Sequence, residues 1–201
     1  MAKRRISKTK ERQGGVVGQL AVCLLHEGMI DKAGNEVTTS LTLIDIHDIS
    51  RSAKTYGLIH AYIAHPSLAL HQLAMRLTSH WKEGYGSTYN PDRKSALDNM
   101  TALHTLEEII DDLEKQTGKK PILVATSAKG GGGRTSYNQL KQSLHSDDNV
   151  YLLMLGTGWG MGDALLERAE LFLEPIYGPG DYNHLSVRSA CAIMLDRLMG
   201  I

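Results

Sequence analysis

The chain has 201 residues, 42% of them apolar and 22% charged, and its 22 basic and 22 acidic side chains cancel. That length and balance suit one well-packed domain, and they exclude wholesale disorder, a collagen and a disulfide-stapled miniprotein. No apolar run approaches the roughly 18 residues of a membrane span, and the polar N-terminus lacks the apolar stretch of a secretory signal, so a cytoplasmic protein with no membrane partner is expected. Charge is nevertheless uneven along the sequence. Residues 1–12 hold Lys3, Arg4, Arg5, Lys8, Lys10 and Arg12 against Glu11 alone. We expect residues 1–13 to form a flexible basic tail with a salt-sensitive attraction to phosphate backbones, and residues 14–201 to form one domain.

Strand-like apolar runs fall at residues 20–25, 58–64, 121–126, 150–155 and 171–173, with helical or loop segments between them. This alternation is the order of an α/β protein whose parallel sheet is covered by helices on both faces. The sequence Lys32-Ala33-Gly34-Asn35 is a turn signal, placing a hairpin between the first strand and residues 37–43. Helices are expected at 46–56, 67–81, 94–116, 136–144, 163–169 and 185–199. Along 94–116, Leu97, Met100, Leu103, Leu106, Ile110 and Leu113 recur three or four apart, while Glu107, Glu108, Asp111, Asp112 and Glu114 crowd elsewhere. That pattern reads as a core stripe with a solvated acidic face rather than as a set of catalytic carboxylates. The final helix is apolar nearly all round, from Leu185 and Val187 to Leu198 and Met199. It needs burial on two sides, by its own core and by a second subunit. Cys23 and Cys191 lie inside apolar segments at a spacing that suits neither zinc nor a redox pair, and read as small buried hydrophobes. The nine histidines are dispersed without ligand spacing, so no metal is expected.

Two glycine-rich loops follow strands and precede helices, where open parallel sheets bind ligands. Residues 128–135 have the outline of a phosphate-binding P-loop, but Ala128 stands at the leading glycine and Arg134 at the lysine. They read as a flexible loop with one arginine near its end. Residues 156–162 alternate Gly156, Gly158, Gly160 and Gly162. Counting Gly-x-Gly-x-x-Gly from Gly156 puts Met161 in the last place, and from Gly158 puts Asp163 there, so the dinucleotide fingerprint is absent. What remains is a backbone that a ligand can approach closely.

A third tight loop, residues 174–186, runs directly into the final helix through Asn183, Leu185, Ser186 and Val187. This segment resembles the third motif of the SPOUT class of RNA methyltransferases, in which an Asn-x-x-Ser-Val-like run opens the last helix. The Gly156 loop is then similar to that class's second motif. Upstream, Arg51, Ala53, Tyr56 and Gly57 resemble its first, an Arg-x-Ala-x-x-aromatic-Gly pattern. Within that class the chain is most similar to a bacterial family of S-adenosylmethionine-dependent RNA methyltransferases, whose members also carry stretches like 84–91 and 124–128.

The resemblance implies a parallel sheet whose C-terminal part is threaded into a deep trefoil knot, an exception to the usual absence of knots. It implies S-adenosylmethionine as cofactor, held by Thr126 and Ser127, by Gly156, Thr157 and Gly158, and by Ile176, Tyr177, Gly178, Leu185, Ser186 and Val187, mostly through backbone groups. It implies a homodimer acting on transfer or ribosomal RNA by in-line methyl displacement, with Arg51, Asn183 and Asp181 as candidate catalytic groups. Arginine, with a pKa above about 12, is a poor base, so Arg51 suits phosphate or RNA binding better. Asn183 would position the substrate or cap the last helix, and Asp181 or His184 would accept a base proton. Lys3, Arg4, Arg5 and Arg134 would meet RNA phosphates. The ribose-methylating branch usually has Asn-Glu where this chain has Thr157-Gly158, so the resemblance does not carry over 2′-hydroxyl specificity. The alternative is a knotted RNA-binding or ribosome-assembly protein that transfers no methyl group.

Overall fold

The computed structural model describes residues 18–201; the expected basic tail, with Lys3, Arg4 and Arg5, lies outside them. Strand β1 (Gln19–Leu25) leads into a small hairpin of β2 (Met29–Ile30) and β3 (Glu36–Val37), then α1 (Leu43–Thr55) and β4 (His60–Ala64). Helices α2 (Leu68–Lys82), α3 (Tyr85–Tyr89) and α4 (Pro91–Leu97) follow, before β5 (Met100–Leu103) and α5 (Leu106–Thr117). The second half runs β6 (Ile122–Ala125), α6 (Tyr137–Ser146), β7 (Val150–Leu155), α7 (Asp163–Leu166), β8 (Leu171–Phe172) and α8 (Val187–Met199).

Six strands make one sheet in the order β5-β4-β1-β7-β6-β8, and every pairing in it is parallel. The centre is β1, whose alternating side chains feed two cores. Leu20, Val22 and Leu24 pack with Ile46 and Ile49 of α1, Leu97 of α4, Leu140 and Leu144 of α6, and Cys191, Leu195 and Leu198 of α8. Ala21, Cys23 and Leu25 face the opposite way, onto Leu106, Ile109, Ile110 and Leu113 of α5. A strand buried on both faces must be apolar at every position, which is why β1 and β7 read as continuous hydrophobic runs. Both cysteines are free and buried, and burial pushes the thiols up, that of Cys191 to about 12. Among the described residues no helix is long and apolar enough to cross a membrane.

The one long helix expected at 94–116 is not formed. Its residues are divided among the end of α4, the edge strand β5 and α5. Leu97, Met100, Leu103 and Leu106 imitate a helical period, yet Met100 pairs with Ala61 in the sheet. The break is marked by a helix start inside the run. Thr105 Oγ1 accepts the N–H of Glu108 at 3.2 Å, and Glu108 Oε2 accepts the N–H of His104 at 2.8 Å, a close variant of the capping box. Gly118, at φ +73°, then ends α5. The turn at 32–35 forms around Asp31, whose Oδ1 accepts the N–H groups of Ala33 and Asn35. It joins β2 to β3, however, rather than the first strand to 37–43. The other expected helices and strands lie within three residues of those observed.

Helices α1 and α8 run side by side in the same direction. Arg188 bonds Asp45 at 3.2 Å and Asp48 at 3.3 Å, and Tyr56 Oη donates to Asp196 at 3.0 Å a few turns further along. Helix α8 also packs on α6, which buries Cys191, Met194, Leu195 and Leu198. Ala192 and Ile193 stay half-buried.

Because Thr105 caps the helix that packs on one face of the sheet, Thr105→Ala should destabilise the fold by about 1 kcal/mol in urea denaturation. An unchanged midpoint would show that the Glu108 contact alone starts α5.

Candidate active site

In a parallel sheet all carboxyl ends point one way, so the segments after β6, β7 and β8 gather at one edge. After β6, Thr126 is almost fully buried and donates from Oγ1 to the carbonyl of Met154 at 2.8 Å, while Ser127 Oγ accepts the N–H of Lys129 at 3.0 Å. After β8, the chain is tied back to the 126–136 loop at successive points. Glu174 N–H donates to Thr135 O at 2.9 Å, Glu174 Oε1 accepts the N–H of Tyr137 at 2.9 Å, and Asn183 Nδ2 donates to Ala128 O at 2.8 Å. A Cβ added at Gly130 would lie 3.3 Å from Tyr177 Oη. The structure therefore brings Thr126, Ser127, Tyr177 and Asn183 together, with Gly156, Thr157 and Gly158 leaving the adjacent strand.

The third loop offers open donors. The amides of Ile176, Tyr177 and Gly178 have no hydrogen-bond partner among the described residues, and a Cβ at Gly178 would meet nothing within 4 Å. Tyr177, Tyr182 and Leu185 are exposed at 65%, 79% and 45%. Unpaired amides beside open space suit the adenine and ribose of S-adenosylmethionine, which need hydrogen bonds from a backbone without intervening side chains. Val187 begins α8, and its cap is Ser186, whose Oγ accepts the N–H of Ser189 at 3.3 Å. Asn183 thus clamps two loops and leaves the capping to Ser186.

The Gly156 loop is built differently from an open cradle. It is zipped antiparallel onto β2, with Trp159 N–H on Ile30 O at 3.1 Å, Ile30 N–H on Gly160 O at 2.9 Å and Gly162 N–H on Gly28 O at 2.8 Å. A Cβ at Gly156 would lie 2.9 Å from Met161 Cγ. Gly158 sits at φ +61°, where a Cβ would lie 3.2 Å from Ile30 O. These two glycines let the loop close on protein, and between Gly158 and Gly162 only the amides of Gly158 and Met161 are left without a partner among the described residues.

Beneath the loop lies a buried polar network that the sequence does not announce. Thr157 Oγ1 donates to Leu25 O at 3.3 Å, and its hydroxyl also meets that of Thr39. Thr39 N–H donates to His26 O at 2.8 Å, and Thr39 O accepts from His65 Nε2 at 3.0 Å. His26 Nδ1 donates to Ala64 O at 3.1 Å, and its Nε2 is buried without a partner. Burial, reinforced by the nearby His65, drives the His26 pKa down to about 4. The ring is a neutral prop under the loop at pH 7.

The remaining sequence candidates lie elsewhere. Arg51 is exposed on α1 and lines a cleft of about 440 Å³ to which none of the three loops contributes. Asp45 and Asp48, beside it in the first-motif run, are held by Arg188. Asp181 and His184 are exposed, the latter with its ring 5.4 Å from that of Tyr182. Arg134 turns inward, donating to Lys129 O at 3.1 Å and standing 5.7 Å over the Phe172 ring.

Comparison with solved structures defines the fold. The SpoU methyltransferase AviRb of Streptomyces viridochromogenes, solved with AdoMet, superposes with a TM-score of 0.55 at 15% identity, over 94% of this chain and 60% of that one. TrmJ from Zymomonas mobilis (Z. mobilis ZM4) gives 0.55 at 14% identity over 91% of this chain and 68% of that one. The fold is thus the knotted α/β fold of SpoU-type methyltransferases. Residues 19–200 match the family model described as SAM-dependent RNA methyltransferase, and the chain belongs to that family. S-adenosylmethionine is the family's methyl donor. An uncharacterised protein of Aquifex aeolicus is 39% identical over 88% of this chain and 86% of its own length. A tRNA (guanine-N(1)-)-methyltransferase of Oleidesulfovibrio alaskensis is 40% identical over 95% of this chain, which spans only 44% of that relative.

Unfolded His26 takes up a proton near pH 6.5, whereas folded His26 does so only near pH 4. Between those values the unfolded state binds more protons, so stability falls as pH drops from about 6.5 to 4, by on the order of 3 kcal/mol from this group. His47 and His60, also lowered by burial, act in the same direction. His26→Gln should lose less stability than the wild type between pH 7 and pH 4.5 in urea titrations. Equal losses would remove His26 from the acid-sensitive set.

Proposed function

We propose that the protein transfers a methyl group from S-adenosylmethionine to a nucleotide of transfer or ribosomal RNA at the convergence of the three loops. The observation that carries this reading is the row of unpaired amides at Ile176, Tyr177 and Gly178, with open space at Gly178, on the loop that Asn183 clamps to the segment after β6. In this reading those amides, with the Gly158 amide and the Thr126-Ser127 corner, hold the cofactor, and Leu185, Ser186 and Val187 close its far side. When bound, S-adenosylmethionine would supply an electrophilic methyl on a sulfonium, with the neutral thioether S-adenosylhomocysteine as leaving group.

The chain's own part is to place the RNA acceptor and take its proton. Asn183, fixed on Ala128, holds the third loop against the loop after β6. Asp181 and His184 are the exposed acceptors nearest in sequence to that clamp, so one of them takes the proton of a base nitrogen. The Thr157 hydroxyl is engaged by Leu25 and Thr39, which leaves it a support of the loop rather than a proton acceptor.

The reading includes a homodimer. Ile44, at 51% exposure, and Leu185 each precede a partner of the Asp45–Arg188 ion pair, so one end of the α1–α8 pair presents uncovered apolar surface. A second copy on that face would complete the burial of α8 and bring Arg51 toward the partner's loops. The relative named for tRNA guanine methylation supports an RNA substrate. This chain aligns with less than half of it.

Gly178→Val tests the cradle, because the added side chain enters open space and leaves the fold intact. Calorimetry should show one S-adenosylmethionine per wild-type subunit and at least tenfold weaker binding to the variant, and tritiated methyl should reach wild-type-treated RNA only. Unchanged affinity would take the third loop out of the site. Binding without methyl incorporation into transfer or ribosomal RNA from cells lacking the protein would favour a silent RNA-binding protein.

A further inference from the structure

A second surface of the molecule has the chemistry of an RNA platform. Helices α1 and α4 border the cleft of about 440 Å³, lined by Arg51, Lys54 and Arg93 against the single acid Asp92, with Asn90 and Ser95 as polar neighbours. Among the described residues none of these three cations forms an ion pair, whereas Lys94, Lys119, Arg168 and Arg188 all do. Arg93 is held in place before any ligand arrives. The Arg93 guanidinium stands 4.4 Å over the Trp81 ring, and its backbone N–H is capped by Asn90 Oδ1 at 3.0 Å. His47 lies close enough to both arginines that their charges, Arg93 more than Arg51, add to the burial that lowers its pKa, with Asp48 opposing them.

One residue before Asn90, the chain displays two aromatic rings to solvent. Tyr85 and Tyr89 of α3 are exposed at 76% and 73%, with centroids 6.0 Å apart and planes 26° from parallel. The small helix that carries them is seated tightly, since a Cβ at Gly86 would lie 2.7 Å from Trp81 Cε3. Exposed rings on a rigid mount beside unpaired cations match single-stranded RNA, whose bases stack on aromatic faces while its phosphates meet arginine and lysine.

We infer that the cleft between α1 and α4 takes a backbone phosphate of the RNA, with Tyr85 and Tyr89 stacking on unpaired bases next to it. This rests on the reading of the chain as an RNA methyltransferase. It assigns substrate contacts to Lys54, Arg93 and the two tyrosines, outside the loops that hold the cofactor. The platform selects unpaired RNA, because duplex bases offer no face to stack on.

The test uses the full chain and two fluorescein-labelled probes, a mixed-sequence single strand of 20 nucleotides and a duplex of the same length, read by anisotropy across potassium chloride concentrations. Lys54→Gln with Arg93→Gln should weaken single-strand binding at least tenfold at low salt. It should also reduce the slope of log K against log salt by about 0.7 to 1.4, one or two phosphate contacts. Tyr85→Ala with Tyr89→Ala should weaken single-strand binding about tenfold with the slope unchanged and leave duplex binding alone. Lys54→Glu, at an exposed position away from Trp81, serves if the double variant fails to fold, and should show the same loss. Wild-type affinity and slope in all three would overturn the inference, as would a change in oligomeric state with RNA binding intact, which would mark the surface as a protein interface. Calorimetric binding of S-adenosylmethionine by the variants separates this outcome from failure of the methyltransferase reading itself.

Discussion

The site depends on where the chain goes after Leu173. There the backbone of Glu174 joins Thr135, its carboxylate takes the N–H of Tyr137, and nine residues later Asn183 fastens to Ala128. Each hydrogen bond contributes only about 1 kcal/mol to stability, but together they hold two irregular loops in one place. Helix α8 then closes the arrangement by packing between α1 and α6. Loops free in solution would have to be ordered by a ligand at the expense of its affinity. Loops threaded and clamped in this way are ordered in advance, which is what positioning a reactive methyl and an RNA acceptor requires.

The glycines divide into two kinds once their surroundings are considered. Gly156 and Gly158 have protein where a side chain would go, and they serve to bring the loop down onto Met29, Ile30 and Met161. Gly178 has open space, and the amides beside it are unpaired. The sequence alone gives both kinds the same weight. In the proposed reading the open part of the cradle is the third loop, while Thr157 supports the second. In this chain that position anchors the loop to Leu25 and Thr39.

Much of the fold was legible because burial writes itself into composition. Residues 150–155 are six apolar side chains in a row, and the strand occupies all six. The segment 94–116 misled because Leu97, Met100, Leu103 and Leu106 keep a helical spacing by coincidence, while the signal that divides them, the Thr105 and Glu108 pair, is local and short. Threading of the C-terminal segment leaves no periodic trace at all, and came from the resemblance of three motifs. His26 and His65 were invisible for another reason. They lie 39 positions apart, each isolated in its own apolar segment, and meet only when β1 and β4 pair in register, with their rings 5.2 Å apart. The cleft cations share that history, since Lys54 and Arg93 come from helices separated by a strand and two further helices.

Amide hydrogen exchange of the full chain, with and without saturating S-adenosylmethionine, tests the central claim most directly. The account predicts new protection at residues 176–178 and around Thr126 and Gly158, with α4 and the α3 tyrosines unchanged. Protection confined to the α1–α4 cleft, or the same exchange with and without the cofactor, would contradict it.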